Sequence, residues 1–285
     1  MKKFLFLFLI CMSLTLPGFA KDMTSSDYYN RGFNEGSSGK YTEAIADFTK
    51  AIQLNPNQAN AYRFRGLCKT ELKDRIGAIA DYTKSIQLNS NDSDAYYLRG
   101  SSKGLLGKDL EAIMDYTKAI QLKPDNFIAY RSRGLSKEKL KDHKGAIADC
   151  TKAIQLKPND ALTYRLRGLS KSFLGDNAGT IADCTKAIQL NPNDTDTYYI
   201  RGASKIKLKD YTGGIADFTK AIQLNPDNAD AYYKRGLSKS ILKQYKGSIA
   251  DLTQAKNLYL NQNNMKKNKE VLFFLNGVKI QAKQY

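Results

Sequence analysis

Tryptophan is absent from the 285 residues, and histidine occurs once, cysteine four times and proline six times. Each shortage removes a class of function. A lone histidine, His143, has no second one with which to hold a metal or pass a proton. Cys11 lies within an apolar amino-terminal run, and the remaining Cys68, Cys150 and Cys184 are an odd number that does not read as a disulfide framework. A phosphate-binding loop of the form GxxxxGK is missing: Gly36-Ser37-Ser38-Gly39-Lys40 has the wrong spacing and no strand before it. No serine–histidine–acid set is recognisable either. The expectation is a chain without metal or cofactor that is not an enzyme.

Negative charge is also scarce, with 28 acidic residues against 45 basic ones and a net charge of +17. Such a field favours anionic partners without specifying which. Long apolar runs are limited to one. Met1-Lys2-Lys3 opens a stretch from Phe4 to Leu16 interrupted only by Ser13 and Thr15, after which Pro17-Gly18 breaks any helix. Gly18 and Ala20 place small residues where a signal peptidase reads. The run is shorter than the roughly 20 residues that cross a bilayer. Residues 1–20 therefore read as a signal peptide cleaved after Ala20, and the exported chain as periplasmic or extracellular, with no transmembrane span remaining. Its Lys and Arg would number 43.

Against these absences stands a repeat. Arg-Gly recurs at Arg31-Gly32, Arg65-Gly66, Arg99-Gly100, Arg133-Gly134, Arg167-Gly168, Arg201-Gly202 and Arg235-Gly236, always 34 residues apart. A fixed period of this size marks a solenoid, because no single unit buries its apolar face alone. With the frame set at Ser25, the units are 25–58, 59–92, 93–126, 127–160, 161–194, 195–228 and 229–262. Each reads as two helices. Ala44, Ile45, Phe48, Ala51 and Ile52 form one stripe at a 3.6-residue period, and Asn55-Pro56 stops that second helix. The first helix runs from about Ser26 to Ser38 with Tyr28 and Gly32 one turn apart, and Gly39-Lys40 makes the turn between the two. Glycine inside a helix costs about 1 kcal/mol relative to alanine, so its recurrence implies close helix–helix approach near Ala44.

Tyr28, Gly32, Ala44, Phe48, Ala51 and Pro56 in the first unit, and their counterparts in the other six, resemble the tetratricopeptide repeat (TPR). The resemblance implies an all-α fold, a right-handed superhelical solenoid of helix–turn–helix units. There are departures. The small residue becomes Thr180, Gly214 and Ser248, the second aromatic becomes Cys150, Cys184 and Leu252, and the proline becomes Ser90 and Leu260. The cysteines are expected to fill core places, with Cys150 and Cys184 too far apart to bond. Residues 263–285 fall outside the frame. Val271, Leu272, Phe273, Phe274, Leu275, Val278 and Ile280 are apolar there, and the expectation is a helix capping the stack. Self-association through this segment is the alternative, since Phe273-Phe274-Leu275 is sticky if uncovered.

Each Arg-Gly arginine is followed sixteen residues later by aspartate: Arg31 and Asp47, Arg65 and Asp81, Arg99 and Asp115, Arg133 and Asp149, Arg167 and Asp183, Arg201 and Asp217, Arg235 and Asp251. A salt bridge between the two helices of each unit is predicted, because a guanidinium beside a buried glycine needs a carboxylate and its fork suits one. One turn further along the first helix stand Glu35, Lys69, Lys103, Lys137, Lys171, Lys205 and Lys239. These lysines either share the aspartate or extend their amines into solvent, and the second is the simpler expectation.

The resemblance further implies that the first helices line a groove holding a segment of a partner. The groove-facing places are the residue after each tyrosine (Tyr29, Arg63, Tyr97, Arg131, Arg165, Tyr199, Tyr233) and the residue after each glycine (Phe33, Leu67, Ser101, Leu135, Leu169, Ala203, Leu237). Tyrosine and arginine are enriched at binding hot spots. The groove is thus expected to be basic in the middle and aromatic at both ends, and to hold a protein or peptide segment that is acidic or contains aromatics. The alternative is a binder of anionic polymers or surfaces: cell-wall glycan, lipid head groups or nucleic acid. Export argues against nucleic acid.

Overall fold

The computed structural model describes residues 22–284, so the expected signal peptide lies outside the described residues. Among the described residues every regular element is a helix. The first helices of the seven units are α1 (Ser25–Ser37), α3 (Ala59–Glu71), α5 (Ser93–Leu105), α7 (Phe127–Lys139), α9 (Ala161–Phe173), α11 (Thr195–Lys207) and α13 (Ala229–Ile241). The second helices are α2 (Tyr41–Leu54), α4 (Arg75–Leu88), α6 (Asp109–Leu122), α8 (His143–Leu156), α10 (Asn177–Leu190), α12 (Tyr211–Leu224) and α14 (Tyr245–Asn261); α15 (Met265–Ala282) follows them. No helix among the described residues is long and apolar enough to cross a membrane.

The second helices form where the periodic stripe lies. Ala44, Phe48, Ala51 and Ile52 are buried in α2, and Gly214, Phe218, Ala221 and Ile222 are their counterparts in α12. The glycine of each first helix meets this stripe. A Cβ on Gly32 would lie 3.2 Å from the Ala44 carbonyl oxygen and 3.2 Å from Asp47 Cβ, and one on Gly66 would lie 2.8 Å from the Tyr82 ring. The close approach is therefore to the backbone of the small residue and to the aromatic one turn on. Unit 6 shows how the small position adapts: a Cβ on Gly214 would strike Ile206 Cδ1 at 2.4 Å. The bulky Ile206 is admitted because Gly214 gives it room. Thr180 and Ser248 instead donate their hydroxyls to the Gly168 and Gly236 carbonyls, at 3.1 Å and 2.7 Å.

The turn between the two helices of a unit requires a left-handed residue. Gly39, Gly107 and Gly175 supply it without strain, while Lys73, Lys141, Lys209 and Lys243 adopt φ of 60 to 66° at the same place. The lone histidine, His143, opens α8 and stacks on Phe173 with ring centroids 4.6 Å apart. The stop at the end of the second helix needs no proline. Asn89 ends α4 before Ser90, its side chain accepting from the Asn91 amide at 3.1 Å. In the seventh unit Tyr259 and Leu260 replace the Asn-Pro pair, and α14 runs on to Asn261. The following α15 packs on it, burying Val271, Leu275 and Val278 against Leu252, Ala255, Leu258 and Tyr259.

Each first helix touches the first helix of the next unit, whereas successive second helices do not meet. The first helices therefore line the inside of the curve.

Candidate functional site

Two layers of side chains leave each first helix, and only one of them faces the inner surface. The other is a ladder between helices. In all seven units the arginine before the glycine donates Nε and a terminal nitrogen to the two oxygens of the aspartate sixteen residues on, at 2.5 to 3.0 Å. This two-pronged geometry is the strong form of the pair. The guanidinium also lies over the tyrosine three residues earlier, as Arg133 does over Tyr130 with 5.6 Å to the ring centre.

From unit 2 onward the remaining nitrogen reaches back to the preceding unit. Arg65 donates to Thr49, Arg99 to Thr83, Arg133 to Thr117, Arg167 to Thr151, Arg201 to Thr185 and Arg235 to Thr219, at 3.0 to 3.2 Å. The lysines one turn on are not solvated, contrary to the simpler expectation. Lys69, Lys103, Lys137, Lys171, Lys205 and Lys239 place Nζ 2.7 to 2.9 Å from the same aspartates. A nearly buried carboxylate held by one guanidinium still has lone pairs to spare, and the lysine stem crosses apolar surface to share the oxygen that accepts from arginine Nε. Twelve of the basic side chains thus serve the helix junctions of units 2–7.

The groove layer differs from unit to unit. Tyr29, Tyr97 and Tyr199 lie against the aromatic of their own second helix: Tyr29 on Phe48, Tyr97 on Tyr116 and Tyr199 on Phe218, with centroids 5.7 to 5.9 Å apart. Burial pushes the Tyr199 phenol up to about 12. Phe33 meets Phe64 edge to face at 5.2 Å, and Leu67 shares with them a small pocket over units 1 and 2. Tyr233 is not open to the groove. It is buried beneath α15, against Phe274, and donates its hydroxyl to Glu270 at 2.7 Å. Leu237 lies beside it, at the edge of a cavity between α13 and α15. The aromatic end expected near the carboxyl terminus is therefore covered by the capping helix.

The three groove arginines are not free charges. Arg63 pairs with Asp92 at 3.1 Å and Asp94 at 3.6 Å, Arg131 with Asp160 at 3.1 Å, and Arg165 with Asp194 at 3.1 Å and Asp196 at 3.0 Å. All three of Asp92, Asp160 and Asp194 stand at the N-cap of the first helix of the next unit, and the side chains of Asp92 and Asp160 also accept from its backbone amides. Burial alone would raise the Asp160 carboxyl, but hydrogen bonds from Thr163 and Arg131 outweigh it and hold it below the usual carboxylate range. The middle of the groove is basic in composition and largely neutralised in place.

What opens there instead is an apolar cavity of about 570 Å³ spanning units 4 to 6. It gathers five of the expected residues, Arg131, Leu135, Arg165, Leu169 and Tyr199, around Leu162, Leu166 and Ile200. It lies over the two units in which arginine replaces the groove tyrosine and cysteine the second-helix aromatic. Cys150 and Cys184 are wholly buried, unbonded thiols raised to about 12 by burial. Ser132, small where Phe64 and Leu98 stand in earlier units, widens the opening. Leu162 and Leu166 were not singled out from the sequence, although their registers vary among units as freely as those that were. Among the described residues no cluster of His, Cys, Asp and Glu could hold a metal.

Comparison with known proteins gives the same architecture. A family model described as TPR repeat matches residues 37–68 and 202–239, and one described as tetratricopeptide repeat matches 93–126 and 129–160. No curated protein sequence matches this chain. Among solved structures, the carboxyl-terminal part of a TPR repeat-containing protein from Cytophaga hutchinsonii is 18% identical, with 81% of this chain and 95% of that one covered and a TM-score of 0.67. A tetratricopeptide repeat protein from Parabacteroides merdae is 17% identical, covering 87% of this chain and 98% of its own, with a TM-score of 0.63. YrrB, a TPR protein described as having an unusual peptide-binding site, is 24% identical over 65% of this chain and 95% of its own, with a TM-score of 0.58. The 34-residue period, the paired helices stacked in register and the matching family models together show that this chain contains tetratricopeptide repeats.

Proposed function

We propose that the chain is a non-catalytic scaffold that holds a segment of a protein partner against the concave surface of units 4 to 6. One observation carries this reading: Tyr29 and Tyr97 pack on their own second helices in units 1 and 3, and an apolar cavity of about 570 Å³ opens over units 4 to 6, with Tyr199 as one wall. Leu135 and Leu162 are 46% and 47% exposed at its rim. Burying one large apolar side chain of a partner there contributes about 1.5–3 kcal/mol. The paired arginines fix the walls and offer hydrogen bonds to a partner backbone, so the segment is recognised by an apolar anchor more than by negative charge. The peptide-binding site named for YrrB supports the same use of the fold.

The test is a random peptide library displayed on phage and selected on the chain. Peptides sharing a large apolar residue are expected to enrich, and to be lost on a Leu135→Asn, Leu162→Asn variant whose helicity is unchanged. Equal enrichment on that variant would refute the site. Charge reversal of Arg131 or Arg165 is the poorer test, because it would set two carboxylates side by side at a unit junction.

Export completes the proposal. It is supported by the basic start, the short apolar run and the small residues before Lys21. Amino-terminal sequencing of protein recovered from the cell envelope should begin at Lys21, and a first residue of Met1 would overturn it.

A further inference from the structure

The charge of the chain is not spread evenly along the stack. Residues 22–58 carry three basic and five acidic side chains, whereas residues 239–285 carry nine lysines and two acidic side chains. The capping helix α15 lies at that basic end. Its core face is Val271, Leu275 and Val278. At 100° per residue the opposite face presents Phe273 and Ile280, with Lys266 and Lys269 beside them and Lys279 and Lys283 on one flank. Phe273 is 75% and Ile280 62% exposed, and with Phe274 and Ile241 they surround a cavity of about 550 Å³. Glu270, the one acidic residue of the helix, accepts from the buried Tyr233 hydroxyl.

We propose that this end of the solenoid docks on an anionic lipid surface, with Phe273 and Ile280 entering the head-group region and Lys266, Lys269, Lys279 and Lys283 meeting the lipid phosphates, while Lys267 stays paired with Asp230. An apolar centre ringed by lysines is the pattern by which a helix lies in a membrane interface. Charge selects the occupant. A second copy of the chain brought face to face on α15 would set these lysines against one another, whereas an anionic bilayer attracts each of them. The groove over units 4 to 6 lies on other helices, α7, α9 and α11, and remains open. The inference is independent of the partner segment proposed for it.

Co-sedimentation of the full chain with phosphatidylcholine vesicles, with and without a quarter phosphatidylglycerol, tests this. Binding is expected to need the anionic lipid, to weaken with salt, and to fall about fivefold for each lysine removed in Lys266→Gln, Lys269→Gln, Lys279→Gln and Lys283→Gln. Phe273→Ser with Ile280→Ser should lower it about tenfold or more at unchanged helicity. Removing as many lysines from the second helices, at Lys84, Lys118, Lys152 and Lys186, should leave it nearly unchanged. Because the chain lacks tryptophan, Phe273→Trp adds a single reporter whose emission should shift to the blue on anionic vesicles only. Equal binding to neutral vesicles, indifference to the Phe273 and Ile280 substitutions, or equal weight for the second-helix lysines would overturn the proposal. So would a dimer in solution that the Ser variant dissolves, with no binding to vesicles.

Discussion

The first unit and the six that follow use the same arginine and aspartate in different surroundings. Arg31 pairs with Asp47 as tightly as its counterparts do, yet its side chain is 50% exposed, against 14 to 17% in units 2–7. It has no preceding unit to supply a threonine, and its spare nitrogen faces the sulfur of Met23. Where the later units place lysine beside the aspartate, the first places Glu35, whose carboxyl is raised by desolvation and then by the nearby Asp47 charge. The difference shows what the ladder is for. A bidentate pair within a unit is common to all seven, but the burial that gives such a pair weight comes from the neighbour. Threonine, arginine, aspartate and lysine form a joint between units, and the first unit has only half of it.

Removing the guanidinium should separate the two environments most. Arg133→Met leaves the Asp149 carboxylate with Lys137 alone in a buried place, and should cost about 3 kcal/mol in thermal or denaturant unfolding. Arg31→Met should cost much less, because water reaches that pair; equal losses would mean that the neighbour contributes little. A smaller effect isolates the contact between units. Thr117→Val removes the acceptor for Arg133 while leaving the pair within the unit intact, and should cost about 1 kcal/mol. The same change at Thr253, which has no arginine above it, should cost less. The smallest effect concerns Glu35. Partial desolvation and the Asp47 charge raise its folded pKa above the ordinary value, so its unfavourable contribution is absent below the ordinary carboxylate range and grows as pH rises through the raised value. Glu35→Lys should abolish that pH dependence and slow amide exchange in α1, making the first unit resemble the others.

Much of this was open to reading in the amino-acid order, and the limits have physical causes. A strict 34-residue period locates the helices, and the recurrence of Arg and Asp sixteen apart points to a bond because both helices are short and antiparallel. The lysine contact was undecided, since a four-carbon stem reaches either water or carboxylate and only the depth of Asp149 or Asp217 decides. Arg131 with Asp160 and Arg165 with Asp194 were missed because each pair joins the start of a first helix to the last residue of the same unit, 29 residues on, and no recurring motif marks the pairing. That is why the groove was expected to be more basic than it is. The cavity left two traces, cysteine for an aromatic at 150 and 184 and arginine for tyrosine at 131 and 165. Neither means a void until the neighbouring helices are in place. The run-on of α14 was more accessible: Tyr259 and Leu260 lack both the asparagine turn and the proline that stop the other second helices.

The repeated arginine, aspartate, lysine and threonine side chains join unit to unit and are committed to the stack. Asp47→Asn, Asp149→Asn and Asp251→Asn compared by unfolding free energy test that role most directly. Asp149 stands mid-stack and Asp251 near the carboxyl end, both with the full set of arginine, lysine and a threonine-bonded guanidinium, whereas Asp47 has the arginine alone. Comparable losses of about 2–4 kcal/mol are expected for Asp149 and Asp251 and a clearly smaller one for Asp47. A loss at Asp47 matching that at Asp149, or losses that simply shrink toward both ends of the stack, would contradict that role.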